Sequence, residues 1–126
     1  MSETKLRGIA PIFQVADLKR SIDFYTRVLG FELGWTAGDP PDRASLCRDA
    51  VEITIESDPS PVRGQAYVYV DGVDAFYAAA AAAGANISVP VADRFYGMRD
   101  GRILDPDGNE LHVGQPLDEH AGPAAT

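Results

Sequence analysis

Apolar and polar residues follow two different periods in the first part of the chain. Apolar side chains at Leu18, Ile22 and Tyr25 recur at intervals of three to four residues, which predicts an amphipathic helix with these residues in the core. Asp17 stands just before this stripe, where its carboxylate can cap the free amides of the first turn. The preceding residues 9–15 are largely apolar and predict a short strand. The chain therefore opens with a strand and a helix of about three turns.

Three more strands are predicted after this helix. They occupy residues 31–36, 44–48 and 51–56. In the last of them Val51, Ile53 and Ile55 share one face, and polar residues occupy the other. The short connections favour an antiparallel meander. Two prolines and a glycine within residues 58–64 then indicate a linker.

The same order of elements begins again after the linker. A strand is predicted over residues 65–70, followed by a helix over 71–84 whose alanine run has high helix propensity. Three final strands are predicted over residues 85–91, 97–105 and 109–115. Pro90 in the first of these suits an edge position, because it cannot donate to a neighbouring strand. The last two are joined by a tight turn, Asp105-Pro106-Asp107-Gly108, where proline fixes one turn angle and glycine accepts a positive φ.

This repeat of elements predicts a single α+β domain made of two paired βαβββ modules. The length of 126 residues fits one domain, and the two modules are offset by about 54 residues. The first module covers about residues 7–57, the linker 58–64, the second module about 65–116, and a flexible tail 117–126.

Composition narrows the classes of partner. Nineteen acidic residues against eleven basic ones give a net charge of -8, which disfavours nucleic acid. The single cysteine, Cys47, excludes an intrachain disulfide. The polar N-terminus is not followed by an apolar run, and no stretch approaches the length of a membrane span. A cytoplasmic location without membrane contact is expected.

Two segments of the chain resemble the vicinal-oxygen-chelate superfamily, which includes glyoxalases, extradiol dioxygenases and bleomycin-resistance proteins. They are VADLKRSIDFYTRVLGFEL at residues 15–33 and YGMRDGRILDPDGNELHVGQ at residues 96–115. The resemblance implies that each module curves its strands into part of an open barrel, with the helices outside and ligands on the concave face. The second segment looks most like the bleomycin-resistance branch, whose metal-free members sequester a bulky cationic drug between two protomers.

The resemblance also assigns four possible metal-ligand positions, at Ala10, Glu52, Gln65 and His112. Ala10 has no donor atom, so a metal site would rest on the other three residues, leaving an open position of the kind a catalytic metal needs. Its occupant would be one divalent ion such as Zn, Ni, Mn or Fe. Because the donor set is incomplete and each of the three also suits a half-exposed strand, no metal is expected.

The same face is the expected ligand-binding surface. Its candidate residues, with those of its rim, are Gln14, Trp35, Glu52, Gln65, Tyr67, Tyr69, Tyr96, Met98, Arg99 and His112. A lining of aromatic rings and carboxylates suits a flat or cationic organic molecule. The alternative interpretation makes Tyr67 and Tyr69 ordinary β-formers on an exposed sheet face.

Two functions from different classes follow from the resemblance. The first is a homodimeric small-molecule-binding protein without a metal or catalysis, of the bleomycin-resistance kind. The second is a divalent-metal-dependent enzyme, either a glyoxalase-type lyase or isomerase or an extradiol-type dioxygenase. The sequence pattern shows no nucleophile beside a histidine, which favours the first.

Overall fold

The computed structural model describes residues 3–117, which form two four-stranded sheets with helices packed against them. The first module contains β1 (Ile12–Val15), α1 (Leu18–Asp23), a π-helical turn (Phe24–Val28), β2 (Glu32–Ala37), β3 (Arg43–Arg48) and β4 (Val51–Ser57). The second contains β5 (Gln65–Tyr69), α2 (Val73–Ala82), β6 (Asn86–Asp93), β7 (Met98–Leu104) and β8 (Glu110–Pro116). None of the helices within these residues is long and apolar enough to cross a membrane. Except for Leu117, the predicted tail lies outside the described residues.

The two sheets have the same topology, which confirms the predicted α+β class and its paired modules. Their strand orders are β1-β4-β3-β2 and β5-β8-β7-β6. In each sheet the first strand runs parallel to the last, and the remaining pairs are antiparallel. The predicted meander is therefore correct, and Pro90 does lie in an edge strand, β6. The sheets do not close into a barrel.

The boundaries of the first strand and helix differ from the prediction for local reasons. β1 begins at Ile12, since Pro11 has no amide hydrogen to donate; its carbonyl accepts from Thr54 N at 2.9 Å. The Asp17 cap is confirmed, with its side chain accepting from Arg20 N at 3.1 Å. The helix then changes to π geometry over Phe24–Val28, a change that the apolar spacing did not predict.

A single core joins the two modules. Tyr25, predicted to be buried, is fully inaccessible to solvent, as are Ile53 and Ile55 of β4. Ile103 and Leu111 contribute to the same cluster from the second module. Burial of each such aliphatic side chain stabilises the fold by roughly 1.5–3 kcal/mol. One face of each sheet therefore packs into this core, and the opposite face points away from it.

The turn before β8 ties the modules together. Gly108 has a φ of 85°, and its amide donates to Asp105 O at 3.0 Å, as the turn prediction requires. Asn109 then reaches out of the turn: its Nδ2 donates to Gln14 O at 3.0 Å, and its Oδ1 accepts from Gly64 N at 2.7 Å. The hairpin that aligns the last two strands therefore also holds β1 and the linker.

Candidate functional site

The sheet faces that point away from the core carry polar and aromatic side chains, and we call them the open faces. Because Phe13, Leu46 and Ile53 point into the core, the residues alternating with them point the other way. The first open face carries Ile12, Gln14, Trp35, Ser45, Cys47, Glu52, Thr54 and Glu56. The second carries Gln65, Tyr67, Tyr69, Met98, Asp100, Arg102, Glu110 and His112.

The second open face brings several predicted residues together. Tyr67 lies opposite His112 in the β5–β8 pairing, with 6.2 Å between ring centroids. The rings of Tyr67 and Tyr69 are 4.9 Å apart, and Tyr69 remains 53% exposed. Gln65 is paired with Glu110 at the other end of the strand. Tyr69, Tyr67 and His112 thus form a row of neighbouring rings, here called the aromatic row, against which a bound molecule can stack.

A buried carboxylate, Asp100, anchors this row. It accepts hydrogen bonds from Tyr67 Oη at 2.8 Å, from Tyr96 Oη at 2.8 Å and from Arg94 Nε at 3.0 Å. Gly114 permits the arrangement, since a Cβ there would collide with the Tyr67 hydroxyl and with Asp100 Cβ. Sequence reasoning missed Asp100 and Arg94 as site residues. The available signal was a charged residue alternating with the core positions of β7.

The protonation states in this cluster follow from its contacts. Burial alone would raise the pKa of Asp100, but hydrogen bonds from Tyr96, Tyr67 and Arg94 outweigh it and lower that pKa. Burial, followed by the hydrogen bond to Asp100, raises the pKa of Tyr67. At neutral pH the cluster therefore holds one carboxylate between two neutral phenols, and Arg94 balances its charge.

The first open face is acidic, with one exposed indole. Glu52 Oε2 accepts from Ser45 Oγ at 2.5 Å, and Cys47 Sγ lies 3.6 Å from the same hydroxyl. Trp35 is opposite Ser45 in the strand pairing and is 45% exposed. Gln14 is committed elsewhere, because its Oε1 accepts from the amide of Val62 in the linker. Trp35 and Glu52 are thus the predicted residues of this sheet that remain together on an accessible face.

The remaining candidates, Tyr96, Met98 and Arg99, lie in different places. Met98 is on the second open face, opposite Pro116, and Tyr96 is in the turn before β7 with its hydroxyl on Asp100. Arg99 points to the α2 side of the sheet, where it forms ion pairs of 2.9 Å with Asp74 and with Asp93. Arg102, by contrast, lies on the second open face and pairs with Glu110 at 3.4 Å.

The possible metal donors do not form a set within one chain. Glu52 lies on the first sheet, Gln65 and His112 lie on the second, and no strand pairing joins the two sheets among residues 3–117. In that part of the chain no three His, Cys, Asp or Glu side chains approach closely enough to hold a metal ion. His112 Nε2 is nevertheless buried without a hydrogen-bond partner there, 3.5 Å from Glu110 Oε1.

Comparison with protein families gives one match over most of the chain. Residues 8–113 match the model of the Glyoxalase/Bleomycin resistance protein/Dioxygenase superfamily. No curated protein sequence matches the chain.

Solved structures share the fold at low sequence identity. TioX from Micromonospora sp. ML1 is 24% identical with a TM-score of 0.74, over 87% of this chain and all of TioX (100%). The bleomycin-binding protein from bleomycin-producing Streptomyces verticillus, solved with copper(II)-bleomycin, is 24% identical with a TM-score of 0.75, over 87% of this chain and 96% of its own. A glyoxalase-related enzyme from Clostridium phytofermentans is 16% identical with a TM-score of 0.78, over 92% and 99% of the two chains.

Proposed function

The chain belongs to the glyoxalase/bleomycin resistance protein/dioxygenase superfamily, and from that premise we propose that it binds a small organic molecule on its open faces without a metal. The observation that carries this proposal is the set of aromatic side chains left exposed on those faces. Trp35 is 45% exposed and Tyr69 is 53% exposed, although burial of such large aromatic side chains would stabilise the fold. Trp35 is on the first sheet and Tyr69 on the second, so each open face presents an exposed aromatic group of the kind that lines ligand surfaces.

The charges beside these rings indicate the class of ligand. Glu52 and Glu56 alternate along β4 on the face that carries Trp35, while Tyr67 and Tyr69 offer the faces of two adjacent rings. A flat or cationic organic molecule fits both, through stacking, cation–π contact and carboxylate pairing. The shared fold with the bleomycin-binding protein supports a drug-sequestering role, because that protein was solved with copper(II)-bleomycin.

A second copy of the chain completes the site in this proposal. Within residues 3–117, β1 and β5 each pair with one neighbour and leave the other edge free. Ile12 on β1 is 61% exposed, so an apolar side chain lies at one of these free edges, where another chain could pair. A homodimer that places the first sheet of one protomer beside the second sheet of its partner would cover both edges. The two open faces would then form opposite walls of one cleft.

Ligand titration tests the proposal. We expect metal-free bleomycin or a planar cationic arene to raise the melting temperature of the protein, because a ligand of the native state stabilises it. Trp35→Ala and Tyr69→Ala should each weaken binding by about tenfold or more, as measured by isothermal titration calorimetry. Val62→Ala removes an exposed apolar side chain from the linker and serves as the control. Absence of binding, or equal loss in all three variants, would contradict the proposal.

A divalent-metal enzyme is the second candidate, and one observation favours it. His112 Nε2 is buried without a hydrogen-bond partner within the described residues, and such an atom is a candidate contact for a ligand or ion. Elemental analysis of the purified protein separates the two functions. Stoichiometric Zn, Ni, Mn or Fe that disappears in His112→Ala would establish the metal protein, whereas metal-free protein that still binds the arene supports the binder.

A further inference from the structure

A cavity of about 540 Å³ lies between the two modules, on the core side of the second sheet. The second module supplies one wall, with Val68 from β5, Val70 just after it and Phe76 from α2. The first module supplies the other, with Val28 from the π-helical turn and Val51 from the β3–β4 hairpin. These side chains point away from the open faces; of the residues assigned to those faces, Tyr69 alone also lines the cavity, so the cavity adjoins the second open face at that residue.

The alanine run of α2 creates this space. Ala75, Ala79 and Ala80 line the cavity. Counted from the two N-caps, Asp17 and Gly72, the positions of Ala79 and Ala80 are occupied in the first module by Phe24 and Tyr25, which pack in the core. A methyl group leaves room where a larger side chain would fill the gap between helix and hairpin. The alanine run therefore favours the helix and also leaves a cavity whose volume is within the range of small-molecule sites, roughly 300–1,000 Å³.

The charged residues that line the cavity favour a cation. Arg48 is already engaged, since its Nη1 donates to Leu29 O at 2.6 Å and its guanidinium lies 5.4 Å from the centroid of the Phe76 ring. Asp49 and Asp71 line the same cavity, and neither carboxylate has a hydrogen-bond or ion-pair partner among residues 3–117. Both residues are exposed, so their carboxylates lie on the solvent side of an apolar cavity, where they attract a positive group attached to an apolar body.

We propose that this cavity is a second small-molecule site, and that it takes an amphipathic organic amine. The aromatic or aliphatic body lies between α2 and the β3–β4 hairpin, over the alanine methyl groups. The ammonium group lies toward Asp49 and Asp71. This site shares only Tyr69 with the open faces and needs no second copy of the chain.

Dansylcadaverine is a suitable probe, because it joins an environment-sensitive arene to a primary amine on a flexible chain. We expect its fluorescence to shift to the blue and increase on binding. Dansylamide, which has the same arene without the amine, should bind about threefold to tenfold more weakly. The double variant Asp49→Asn/Asp71→Asn should remove this difference. Asparagine also tolerates the positive φ of 50° at residue 49.

Variants that fill the cavity provide the decisive measurement. Ala79→Phe and, independently, Ala75→Leu should weaken dansylcadaverine binding about tenfold, since each places a side chain where the arene would lie. Ala78→Phe is the matched control, because Ala78 is exposed on the same helix outside the cavity. Melting curves establish that each variant is folded, and bleomycin titration of the same variants should be unchanged.

Three outcomes would overturn the inference. Loss of dansylcadaverine binding in Trp35→Ala with no effect of Ala79→Phe would place the probe on an open face. Equal affinity for dansylamide and dansylcadaverine would remove the role of the two carboxylates. Conversion of a dimer to a monomer by Ala79→Phe, with probe binding unchanged, would show that a second copy covers the cavity.

Discussion

The hydroxyl of Tyr25 donates a hydrogen bond of 2.9 Å to Oδ2 of Asp105, joining the helical segment of the first module to the last turn of the second. Asp105 Oδ2 also accepts from Asn109 Nδ2 at 2.9 Å, and its Oδ1 accepts from the amides of Asp107 and Asn109. Burial and the neighbouring carboxylate raise the pKa of Tyr25, so the phenol stays neutral. The two segments by which the chain resembles its family are therefore one structural unit, which holds the modules together.

Removing this hydroxyl should destabilise the whole domain. Tyr25→Phe leaves Asp105 with one donor fewer in a buried position, and we expect a loss of about 1–3 kcal/mol in the free energy of unfolding by urea. Tyr69→Phe is the control, because the Tyr69 hydroxyl has no hydrogen-bond partner in the described part of the chain. It should change stability by less than about 0.5 kcal/mol. A Tyr25→Phe protein as stable as the control would show that the contact does not join the modules.

Gly114 should tolerate no side chain, for a steric reason. A Cβ at this position would meet the Tyr67 hydroxyl and lie 2.6 Å from Asp100 Cβ, so the Tyr67–Asp100 hydrogen bond could not keep its geometry. We expect Gly114→Ala to cost about 1–3 kcal/mol in unfolding free energy and to weaken ligand binding to the aromatic row. Gly8→Ala, where a Cβ meets nothing within 4 Å, is the matched control and should change neither. Unchanged stability of Gly114→Ala would contradict this packing.

Asp100 should make the stability of the protein sensitive to acid. Its pKa is lowered in the folded state from the usual 3.8, so its stabilising contribution is complete above that value. The contribution is lost as the pH falls through the lower folded-state pKa, where the carboxylate becomes protonated. Asp100→Asn cannot titrate here, so the stability advantage of the native protein over this variant should shrink between about pH 5 and pH 2. Urea unfolding at several pH values measures the difference, and a constant advantage would refute the assignment.

Much of the fold could be predicted because its determinants are local. Alternation in β4, the Asp17 cap and the turn before β8 depend on residues within a few positions of one another. The π-helical turn could not be predicted from the same pattern. Its apolar spacing over Phe24–Val28 is compatible with an ordinary α-helix. The two helix types differ in which backbone carbonyl accepts the hydrogen bond of each amide.

The candidate site could be predicted only in part, and for a related reason. Period-two alternation predicts that Tyr67 and Tyr69 share one face of β5, and the structure has them so. The same alternation holds in β7. There it separates Arg102, on the open face, from Arg99, which pairs with Asp74 on the side of α2. The role of Asp100 could not be predicted, because its hydrogen-bond partner Tyr67 is 33 positions away in the sequence.

The proposed homodimer gives a prediction that rests on β1. Ile12 is on the open face at a free strand edge and 61% exposed, so a second copy that completes the cleft would bury it. A charge placed there would have to lose its water, which is costly without a partner. We expect the native protein to elute at twice its monomer mass of 13.5 kDa in size-exclusion chromatography with light scattering, and Ile12→Lys at the monomer mass. Val62→Lys, which adds the same charge at an exposed linker residue, should remain dimeric. If the native protein is a monomer at concentrations where ligand binds, then a single chain forms the site and the two-protomer cleft is wrong.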